Sequence, residues 1–263
     1  MAKQNLSAAD QLYVGSGYDA GVFGTNQRKG VPIQLPTRVA LGSPVAIVTD
    51  ALIKAATSTE LPNASTKTYT PGTVTSPLDS ASLPAATTLQ TSSGSVSVWP
   101  LDVPRAITST VTHGSAVVAS TITITGYDVH KAKMVETHTI TAGTTSKSVA
   151  GKKAFAYISS IAITSASDST ANTANIGWND VLGLPYKLAA KSDLIGVWFN
   201  DTLDASATVV LAVTTDPATA STGDVRGTVD TASASDGSSV VVRYYVTDNC
   251  SDVGLRGVTQ YAG

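Results

Sequence analysis

Two neighbouring residues of this chain have the types and the spacing that acid–base chemistry or metal binding requires. Glu136 and His138 lie two positions apart, and Ile140 continues the same alternation, so an extended strand would place all three on one face. A carboxylate beside an imidazole can transfer protons or supply two metal ligands. The sequence offers no second cluster of ligands, and the pair is therefore interpreted as an ordinary polar pair on a strand.

The remaining catalytic and cofactor motifs are missing from the sequence. Its many serines include no Gly-x-Ser-x-Gly nucleophile motif, and it has no glycine-rich phosphate or dinucleotide loop. Four aspartates near the C-terminus are too widely spaced for a calcium-binding loop and are expected in turns instead, namely Asp216, Asp224, Asp230 and Asp236. We therefore predict no catalytic, cofactor-binding or metal-binding residues, and hence a protein that is not an enzyme.

Three tryptophans are the other residues that could bind a ligand. Trp99, Trp178 and Trp198 each lie at a predicted strand edge or within an apolar run. Indole rings can stack on sugars, but they also contribute large apolar surfaces to protein cores. Core packing is the favoured interpretation, and a sugar-stacking platform is the alternative.

The composition favours strands and loops over helices. Of the 263 residues, 42% are hydrophobic and 14% are charged, with a net charge of −2. This charged fraction is well below the usual quarter, so hydroxyl side chains must form much of the surface. Glu60 and Glu136 are the only glutamates, whereas good helices are rich in Glu, Lys, Leu and Ala. The sequence has no basic stripe, which argues against nucleic acid as a partner.

Targeting and redox signals are equally sparse. Cys250 is the only cysteine, which excludes an intrachain disulfide. The first residues lack the apolar core of a signal peptide, and the longest apolar runs are too short to span a bilayer. These features predict synthesis in a reducing cytoplasm and no membrane partner.

Residues 100–188 are predicted to fold as a central β-sandwich domain. Prolines bracket this stretch at Pro100, Pro104 and Pro185. Strands are predicted near residues 105–112, 117–126, 133–141, 153–164 and 173–179, with a bulge at Ser159-Ser160. Five or six short strands separated by turn residues are typical of an antiparallel, immunoglobulin-like sandwich.

Residues 39–99 plus 189–263 are predicted to form a flanking β domain, into which the central unit is inserted; a tandem arrangement is the alternative. The apolar runs 194–199 and 208–214 are expected to be covered on both faces. Residues 240–247 alternate, so that Val240, Val242, Tyr244 and Val246 share one face. The segment 50–56 is the best helix candidate, with Asp50 as its cap.

Residues 1–38 are predicted to form an extended N-terminal arm. Glycines interrupt any periodicity there, and Tyr13, Tyr18 and Phe23 are spaced as isolated anchors rather than as one face of an element. Aromatic side chains supply large contact areas and dominate interface hot spots. We therefore predict that these three residues anchor the arm on a neighbouring chain.

Several turn and strand-start motifs resemble those of tailed-bacteriophage virion structural proteins. They are residues 99–105 (WPLDVPR), 121–126 (TITITG), 150–155 (AGKKAF), 180–186 (DVLGLPY) and 223–228 (GDVRGT). The resemblance covers the central and C-terminal stretches, and the arm has no counterpart in it. The motifs are structural turns and strand starts without catalytic meaning.

The resemblance implies a non-enzymatic virion component, most like a capsid decoration (cement) protein that binds the outside of a phage capsid and stabilises it. It implies the major capsid protein and further copies of the chain, in a homotrimer, as partners. The expected location is the capsid surface of the virion, after synthesis in the host cytoplasm. Two alternatives stay open, a tail or head-fibre structural component and a carbohydrate-binding β-sandwich module.

Overall fold

The computed structural model describes residues 12–14, 31–33, 36–54, 64–74, 80–113, 117–143, 145–165, 172–246 and 252–263. These ranges form an antiparallel all-β architecture, which confirms the predicted fold class. Helical structure within them is limited to a 3₁₀ turn at Lys191–Asp193 and to a single α-helical turn, α1, at Asp252–Leu255. Alternating β-branched residues explain this preference, because such side chains pack well on a pleated surface.

Three short strands come first in the chain. β1 (Leu12–Val14) and β2 (Val31–Ile33) pair with each other in an antiparallel ribbon. β3 (Thr37–Gly42) belongs to a different sheet, near the end of the chain. The last residues of the predicted arm, Thr37 and Arg38, are therefore the start of β3.

Nine strands build the central β-sandwich. They are β4 (Val48–Ile53), β5 (Thr66–Tyr69), β6 (Thr87–Thr91), β7 (Gly94–His113), β8 (Ser120–Tyr127), β9 (Lys133–Ile140), β10 (Ser146–Ala150), β11 (Phe155–Ser165) and β12 (Asn172–Gly183). One layer has the order β5–β11–β8–β9, and the other has the order β4–β12–β7–β10. The immunoglobulin-like character of this sandwich stays a prediction.

The long strand β7 takes part in both layers. Its residues 94–100 pair with β6 and with the start of β11. Its residues 105–113 pair with β12 and, in part, with β10. The segment between them contains Pro104, which cannot donate a ladder hydrogen bond. Strand β7 therefore changes partners at the point where the motif WPLDVPR ends.

The core of the sandwich lies between these layers. Isoleucines alternate into it from four strands, and Trp99 and Phe155 fill it further, both at most 1% exposed. The inward-facing isoleucines are Ile107, Ile122, Ile124, Ile161, Ile163 and Ile176. The two-residue period of a strand explains why the neighbouring threonines face outward.

A second, smaller core lies beside the first. It is covered by a four-stranded sheet with the order β14–β13–β17–β3, in which β13 is Leu194–Phe199, β14 is Thr202–Leu203 and β17 is Val240–Tyr244. Two further short strands, β15 (Thr208–Val210) and β16 (Thr228–Asp230), continue from the end of β12. The four-stranded sheet thus joins β3, which precedes the central strands in the chain, to β13, β14 and β17, which follow them.

The predicted strands that alternate strictly are confirmed. All five predicted central strands exist, and a register shift between Ile158 and Ser160 marks the predicted bulge. In β17, Val240, Val242 and Tyr244 are each fully buried on one face, and the strand lies between two others. Strand β10, with its polar sequence SKSVA, was not predicted.

The predicted helix at 50–56 is wrong over residues 50–54, and residues 55–56 lie outside the described ranges. Residues 48–53 form β4, which pairs with β12 by placing Ile53 opposite Ile176. Gly177 on β12 makes this approach possible, since a Cβ there would overlap the Val48 carbonyl oxygen. Pairing with β12, which the local sequence does not reveal, therefore overrides the capping signal of Asp50.

Two expectations for the flanking part also need correction. The run 208–214 forms a strand only over Thr208–Val210, and Val210 is 52% exposed. In the run 194–199, Ile195 is 45% exposed. Neither run is covered on both faces, because β15 is an edge strand and β13 has one face outside the core.

The hydrogen-bonded sheets also divide the chain differently from the predicted domain boundaries. Strands β4 and β5 lie within residues 39–99, the range assigned to the flanking domain, yet they pair with β12 and β11 of the central sandwich. Ala51, Leu52 and Ile53 belong to its core. The central unit therefore includes chain that precedes residue 100.

Candidate functional site

The Glu136–His138 pair meets a third polar residue inside the central sandwich. Both side chains project from β9 into the core, and Ser109 projects toward them from β7. The Ser109 hydroxyl lies 2.8 Å from Nδ1 of His138, and Nε2 of His138 lies 3.6 Å from Oε2 of Glu136. Serine, histidine and carboxylate thus stand in a row, which is the order that nucleophilic hydrolases use.

The main chain of the 150–155 motif holds the carboxylate of this row. The backbone N–H of Lys152 donates to Oε1 of Glu136 at 2.6 Å. Gly151 leaves the space that this contact needs, because a Cβ there would lie 2.9 Å from Oε2 of Glu136 and 2.5 Å from the Ile107 carbonyl oxygen. Oε2 of Glu136 and Nε2 of His138 have no hydrogen-bond partner. Hydrogen bonds thus hold the Ser109 side of His138 and the Oε1 side of Glu136, whereas the two atoms that face each other between His138 and Glu136 are not hydrogen-bonded.

Burial decides what this row can do. Ser109 is fully buried, His138 is 2% exposed and Glu136 is 3% exposed. A nucleophile must reach a substrate atom at roughly 3 Å, and the closed core around Ser109 leaves no path for one. The arrangement is therefore a polar link between β7 and β9, consistent with the interpretation of Glu136 and His138 as a strand-face pair.

A second group of polar residues, which we call the polar seam, joins the central sandwich to the smaller core. The seam consists of Asp128, Lys153, Asp224 and Arg226. Nη1 of Arg226 lies 2.7 Å from Oδ2 of Asp128, and Nε donates to the Leu184 carbonyl oxygen at 2.9 Å. Both side chains of this pair are 2% exposed. Buried ions of this kind require partners on every side, and the hairpin loop that follows β8 supplies one of them, Asp128.

Asp128 organises that hairpin loop as well as the ion pair. Its Oδ1 accepts from the backbone N–H groups of His130 and Ala132, each at 2.8 Å. Its Oδ2 also accepts from the side-chain amide of Gln260 at 3.2 Å. A single carboxylate therefore fixes a turn, a guanidinium and the C-terminal segment.

The other two members of the seam are equally enclosed. Asp224 accepts from the backbone N–H of Arg226 at 2.9 Å and from that of Ala154 at 3.1 Å. Burial raises the pKa of the Asp224 carboxyl, although the charge of Arg226 and these hydrogen bonds oppose the shift. Asp224, which was predicted in a turn, lies in irregular chain before β16, and its carboxylate is a structural acceptor.

Lys153 is the cation that binds the 212–222 loop to β9. Its Nζ donates to the carbonyl oxygens of Val135, at 3.0 Å, and of Thr219, at 2.7 Å. Burial lowers the pKa of Lys153, and the charges of Glu136 and Asp224 oppose part of that shift. The Tyr261 ring lies 5.7 Å from the same nitrogen. The ammonium is thus surrounded by carbonyl groups and an aromatic ring.

Arg105 forms a third buried polar group where β7 changes partners. Its guanidinium contacts Asp102 at 3.1 Å and Asp180 at 3.5 Å. It also donates to the carbonyl oxygens of Asn179 and Val45. Asp102 in turn accepts from the backbone N–H of Val45 at 2.8 Å. This group fixes the connection between β3 and β4 against the part of β7 where its partners change.

The motifs that carry the resemblance supply most of these buried polar residues. WPLDVPR contains Arg105 together with its exposed partner Asp102, AGKKAF contains Lys153, and GDVRGT contains Asp224 and Arg226. Their shared role is to hold the layers of the fold together. Sequence reasoning assigned these motifs to turns and strand starts, and it could not identify the contacts between them.

The predicted interface anchors are only partly within the described ranges. Tyr13 lies in β1, where its backbone pairs with that of Pro32. Tyr18 and Phe23 lie outside the described residues. The role of these three aromatic residues stays a prediction.

The tryptophans divide into two environments. Trp99 is 1% exposed and Trp178 is 6% exposed, so core packing is confirmed for both. Trp198 instead lies half-buried on the outer face of the four-stranded sheet, with the Arg243 guanidinium 4.8 Å from its ring centre. The sequence does not reveal this surface, because Arg243 lies on a different strand, remote from Trp198 in the chain.

The outer face of the β5–β11–β8–β9 layer carries a rank of threonines. Register places Thr66, Thr164, Thr121 and Thr139 side by side across the four strands. A shallow depression of about 150 Å³ lies at this end of the layer, lined by Ala119, Ser120, Thr121, Thr139, Ile140 and Thr164. Its lining has hydroxyl groups but neither an aromatic ring nor a carboxylate, which sugar-binding sites use for stacking and orientation.

The described residues contain neither a metal-binding cluster nor a membrane-spanning helix. Among the described residues, no group of three or more His, Cys, Asp or Glu side chains could hold a metal ion. Within the same ranges, no helix has the length and apolar character needed to cross a membrane.

Comparisons with known proteins add no relative. No protein-family model matches the chain, and neither a curated protein nor a solved structure matches it significantly. The class of protein that the fold defines is thus an antiparallel β-sandwich with a second sheet beside it.

Proposed function

We propose that this chain is a non-enzymatic virion structural protein, and within that class a decoration protein that binds the outside of a phage capsid. The observation that carries the proposal is the location of its chemistry-bearing residues. Ser109, His138 and Glu136 lie in a closed core, and the buried arginines are occupied by carboxylates and carbonyl groups. These residues hold strands together, which is the work of a structural protein.

The exposed surfaces support the same conclusion. The described part of the central sandwich presents ranks of hydroxyl groups, and the flanking sheet presents an aromatic–arginine surface. Only 14% of the residues in the chain are charged. A weakly charged surface does little to prevent association, which suits a chain that functions in a fixed assembly. The resemblance of five motifs to virion structural proteins points to the phage particle as that assembly.

The proposed partners are the major capsid protein and two further copies of this chain. In this proposal the arm of residues 1–38 runs along the shell or along a sister subunit. Tyr13, Tyr18 and Phe23 are its anchors, since aromatic side chains contribute large contact area with few torsions to order. The proposed site of action is the capsid surface, after synthesis in the host cytoplasm.

Copy number per particle is the experiment that tests this function. Quantitative mass spectrometry of purified particles should find this chain in hundreds of copies, and cryo-electron microscopy of particles that carry a labelled chain should place it on the head. A few copies at the tail would instead support the tail or fibre alternative. Binding on a glycan array, with no chain on particles, would support the carbohydrate-binding alternative and overturn the proposal.

A truncation tests the proposed arm separately. A chain without residues 2–30 should keep the β-sheet signal and melting behaviour of the full chain but lose most of its occupancy on particles. Changing Tyr13, Tyr18 and Phe23 to alanine together should cause most of the same loss. Undiminished occupancy of the truncated chain would show that the binding surface lies on the β sheets.

A further inference from the structure

The outer face of the four-stranded sheet has a composition unlike the other exposed surfaces. Val240, Val242 and Tyr244 face the core, so Val241 and Arg243 lie on the opposite face of β17, where Arg243 is exposed and Val241 is covered, at 5% exposure. Register places Ala40 and Arg38 of β3 beside them, and Trp198 of β13 on the other side. Leu203 of β14, 55% exposed, lies opposite Trp198. We call this surface the Trp198 face and define it by Arg38, Ala40, Trp198, Leu203, Val241 and Arg243.

Two arginines occupy directly opposed positions on the Trp198 face. Arg38 and Arg243 are register partners on neighbouring strands, which places their Cβ atoms roughly 4.5–5.5 Å apart. Both are exposed, and within the described part of the chain neither forms an ion pair with a carboxylate. Like charges in this position destabilise a sheet. A protein with a net charge of −2 thus carries an uncompensated pair of positive charges at one place.

The surroundings of this pair are those of a protein-binding surface. The Arg243 guanidinium lies over the Trp198 ring. This contact orients the guanidinium and covers one face of the guanidinium plane. Trp and Arg are the residues most enriched in interface hot spots. Leu203 and Ala40 extend the apolar area on either side. A guanidinium binds a carboxylate through two parallel hydrogen bonds, and two neighbouring guanidiniums favour an anionic group between them.

We propose that the Trp198 face is a docking surface for a protein segment that presents a carboxylate between Arg38 and Arg243 and an apolar side chain against Trp198 and Leu203. Charge complementarity selects this occupant, because a neutral or basic segment would leave both arginines uncompensated. That the capsid shell carries this segment rests on the function proposed above. The chemistry of the segment, a carboxylate beside an apolar side chain, does not depend on that function.

The test uses the full-length protein and two probes. The first probe is a particle that lacks this chain, with binding measured by co-sedimentation. The second is the peptide acetyl-Leu-Glu-Leu-Glu-amide, with binding followed by NMR at the Trp198 indole and at the Nε–H groups of Arg38 and Arg243. The variants are R38E/R243E, R38K/R243K and W198A. R256E is the matched control, because Arg256 is exposed and its neighbours Leu255 and Gly257 contact Lys187 and Val225, which are not part of the face.

The inference predicts an ordered set of results. R38E/R243E and W198A should each weaken particle binding about 30-fold or more, as expected for hot-spot residues. R38K/R243K should retain part of the affinity, R256E should bind as the wild type does, and all variants should melt near the wild-type temperature. The peptide should shift the three signals of the face in the wild type and none of them in R38E/R243E.

The outcomes separate this inference from the proposed function. If the wild type does not bind particles but the peptide shifts the three signals, the capsid function fails and the acidic-segment site stands. If the wild type binds particles and R38E/R243E binds equally well, the inference is wrong and the capsid function stands. A peptide that shifts no signal of the face also overturns the inference. So does cross-linking of a photoreactive residue at position 203 to a second copy of the chain or to its own N-terminal segment.

Discussion

The arginines of the polar seam and those of the Trp198 face have the same side chain in opposite settings. Arg226 is 1% exposed, and it contacts Asp128, Asp224 and the Leu184 carbonyl oxygen. Arg38 and Arg243 are exposed, and they face each other across two strands. The first setting gives the guanidinium two hydrogen-bond acceptors and a second nearby carboxylate, whereas the second leaves its hydrogen-bonding groups to water.

This difference shows which charges serve the fold and which are available for binding. A buried guanidinium is tolerated only where carboxylates and carbonyl groups replace its water, so the contacts of Arg226 fix the geometry of everything around it. An exposed guanidinium contributes little to stability, so selection for folding alone does not explain an unpaired arginine beside a tryptophan. The predictions below test this contrast, in order of decreasing effect.

Removing the buried guanidinium should have the largest effect. Arg226→Ala leaves Asp128 and Asp224 charged inside the protein, and breaking a buried pair in this way costs about 3–5 kcal/mol. Urea unfolding followed by circular dichroism measures the change. Arg243→Ala is the matched control and should stay within about 0.5 kcal/mol of the wild type. Equal effects of the two substitutions would remove the contrast between buried and exposed arginines.

The buried row of Ser109, His138 and Glu136 should behave as structure rather than as an active site. Ser109→Ala removes the partner of Nδ1 of His138, and an unpaired buried polar group costs about 1–3 kcal/mol. The matched control is Ser97→Ala, on the exposed part of the same strand, with an expected change below about 0.5 kcal/mol.

Chemical labelling sharpens the same prediction. A fluorophosphonate, which reacts with activated serines, should not label the folded protein, since Ser109 is fully buried. Labelling of the wild type that is lost in Ser109→Ala would contradict the structural role. It would also show that the core opens to admit a substrate.

A smaller effect, dependent on pH, is expected at Lys153. Burial lowers its pKa below 10.5 in the folded state, so the folded protein binds fewer protons than the unfolded chain in this range. The contribution of Lys153 to stability is therefore greatest above pH 10.5 and falls as the pH drops through the folded-state pKa. The difference in unfolding free energy between the wild type and Lys153→Met should grow from pH 8 to pH 10.5.

Exposed Lys133 provides the control for this experiment. The difference between the wild type and Lys133→Met should change little over the same range of pH, because an exposed ammonium meets nearly the same solvent in both states. A difference for Lys153→Met that is constant with pH, or that shrinks as the pH rises, would contradict the lowered pKa.

The strands that could be predicted from the sequence are those whose pattern is local. In β8 and β17 apolar residues recur at every second position, and this period alone indicates which face is buried. Strand β4 was predicted as a helix because Asp50 followed by Ala51, Leu52 and Ile53 carries a capping signal but no complete period. Its true partner, β12, is more than one hundred residues away.

The polar contacts could not be predicted, because their partners are remote in sequence. Asp128 and Arg226 are 98 residues apart, and Lys153 and Thr219 are 66 apart. Ser109 is one of several hydroxyl residues in β7, and nothing local distinguishes it. Trp198 was hidden for a different reason. The sequence of β13, LIGVWF, is apolar throughout and shows no alternation. A register shift between Leu194 and Gly196 further interrupts the two-residue period of the strand, so the outward face of Trp198 could not be recognised.

The smallest predicted effect tests the opposed arginines directly. Because Arg38 and Arg243 are register partners, Arg38→Glu replaces a repulsive cross-strand pair with an attractive one. Such pairs contribute roughly 0.2–1 kcal/mol, so the variant should be slightly more stable than the wild type at low salt. The gain should shrink as salt is added, since exposed charges are screened. Arg38→Ala should lie between the two, because it removes the repulsion without adding an attraction. Thermal unfolding at two salt concentrations measures this order.

If Arg38→Glu proves less stable than Arg38→Ala, the two guanidiniums are not in repulsive contact, and the charge argument for the acidic partner loses its basis. If Arg38→Glu is more stable than the wild type but fails to bind particles, the opposed arginines lower the stability of the fold and are needed for binding, as expected of residues kept for a partner.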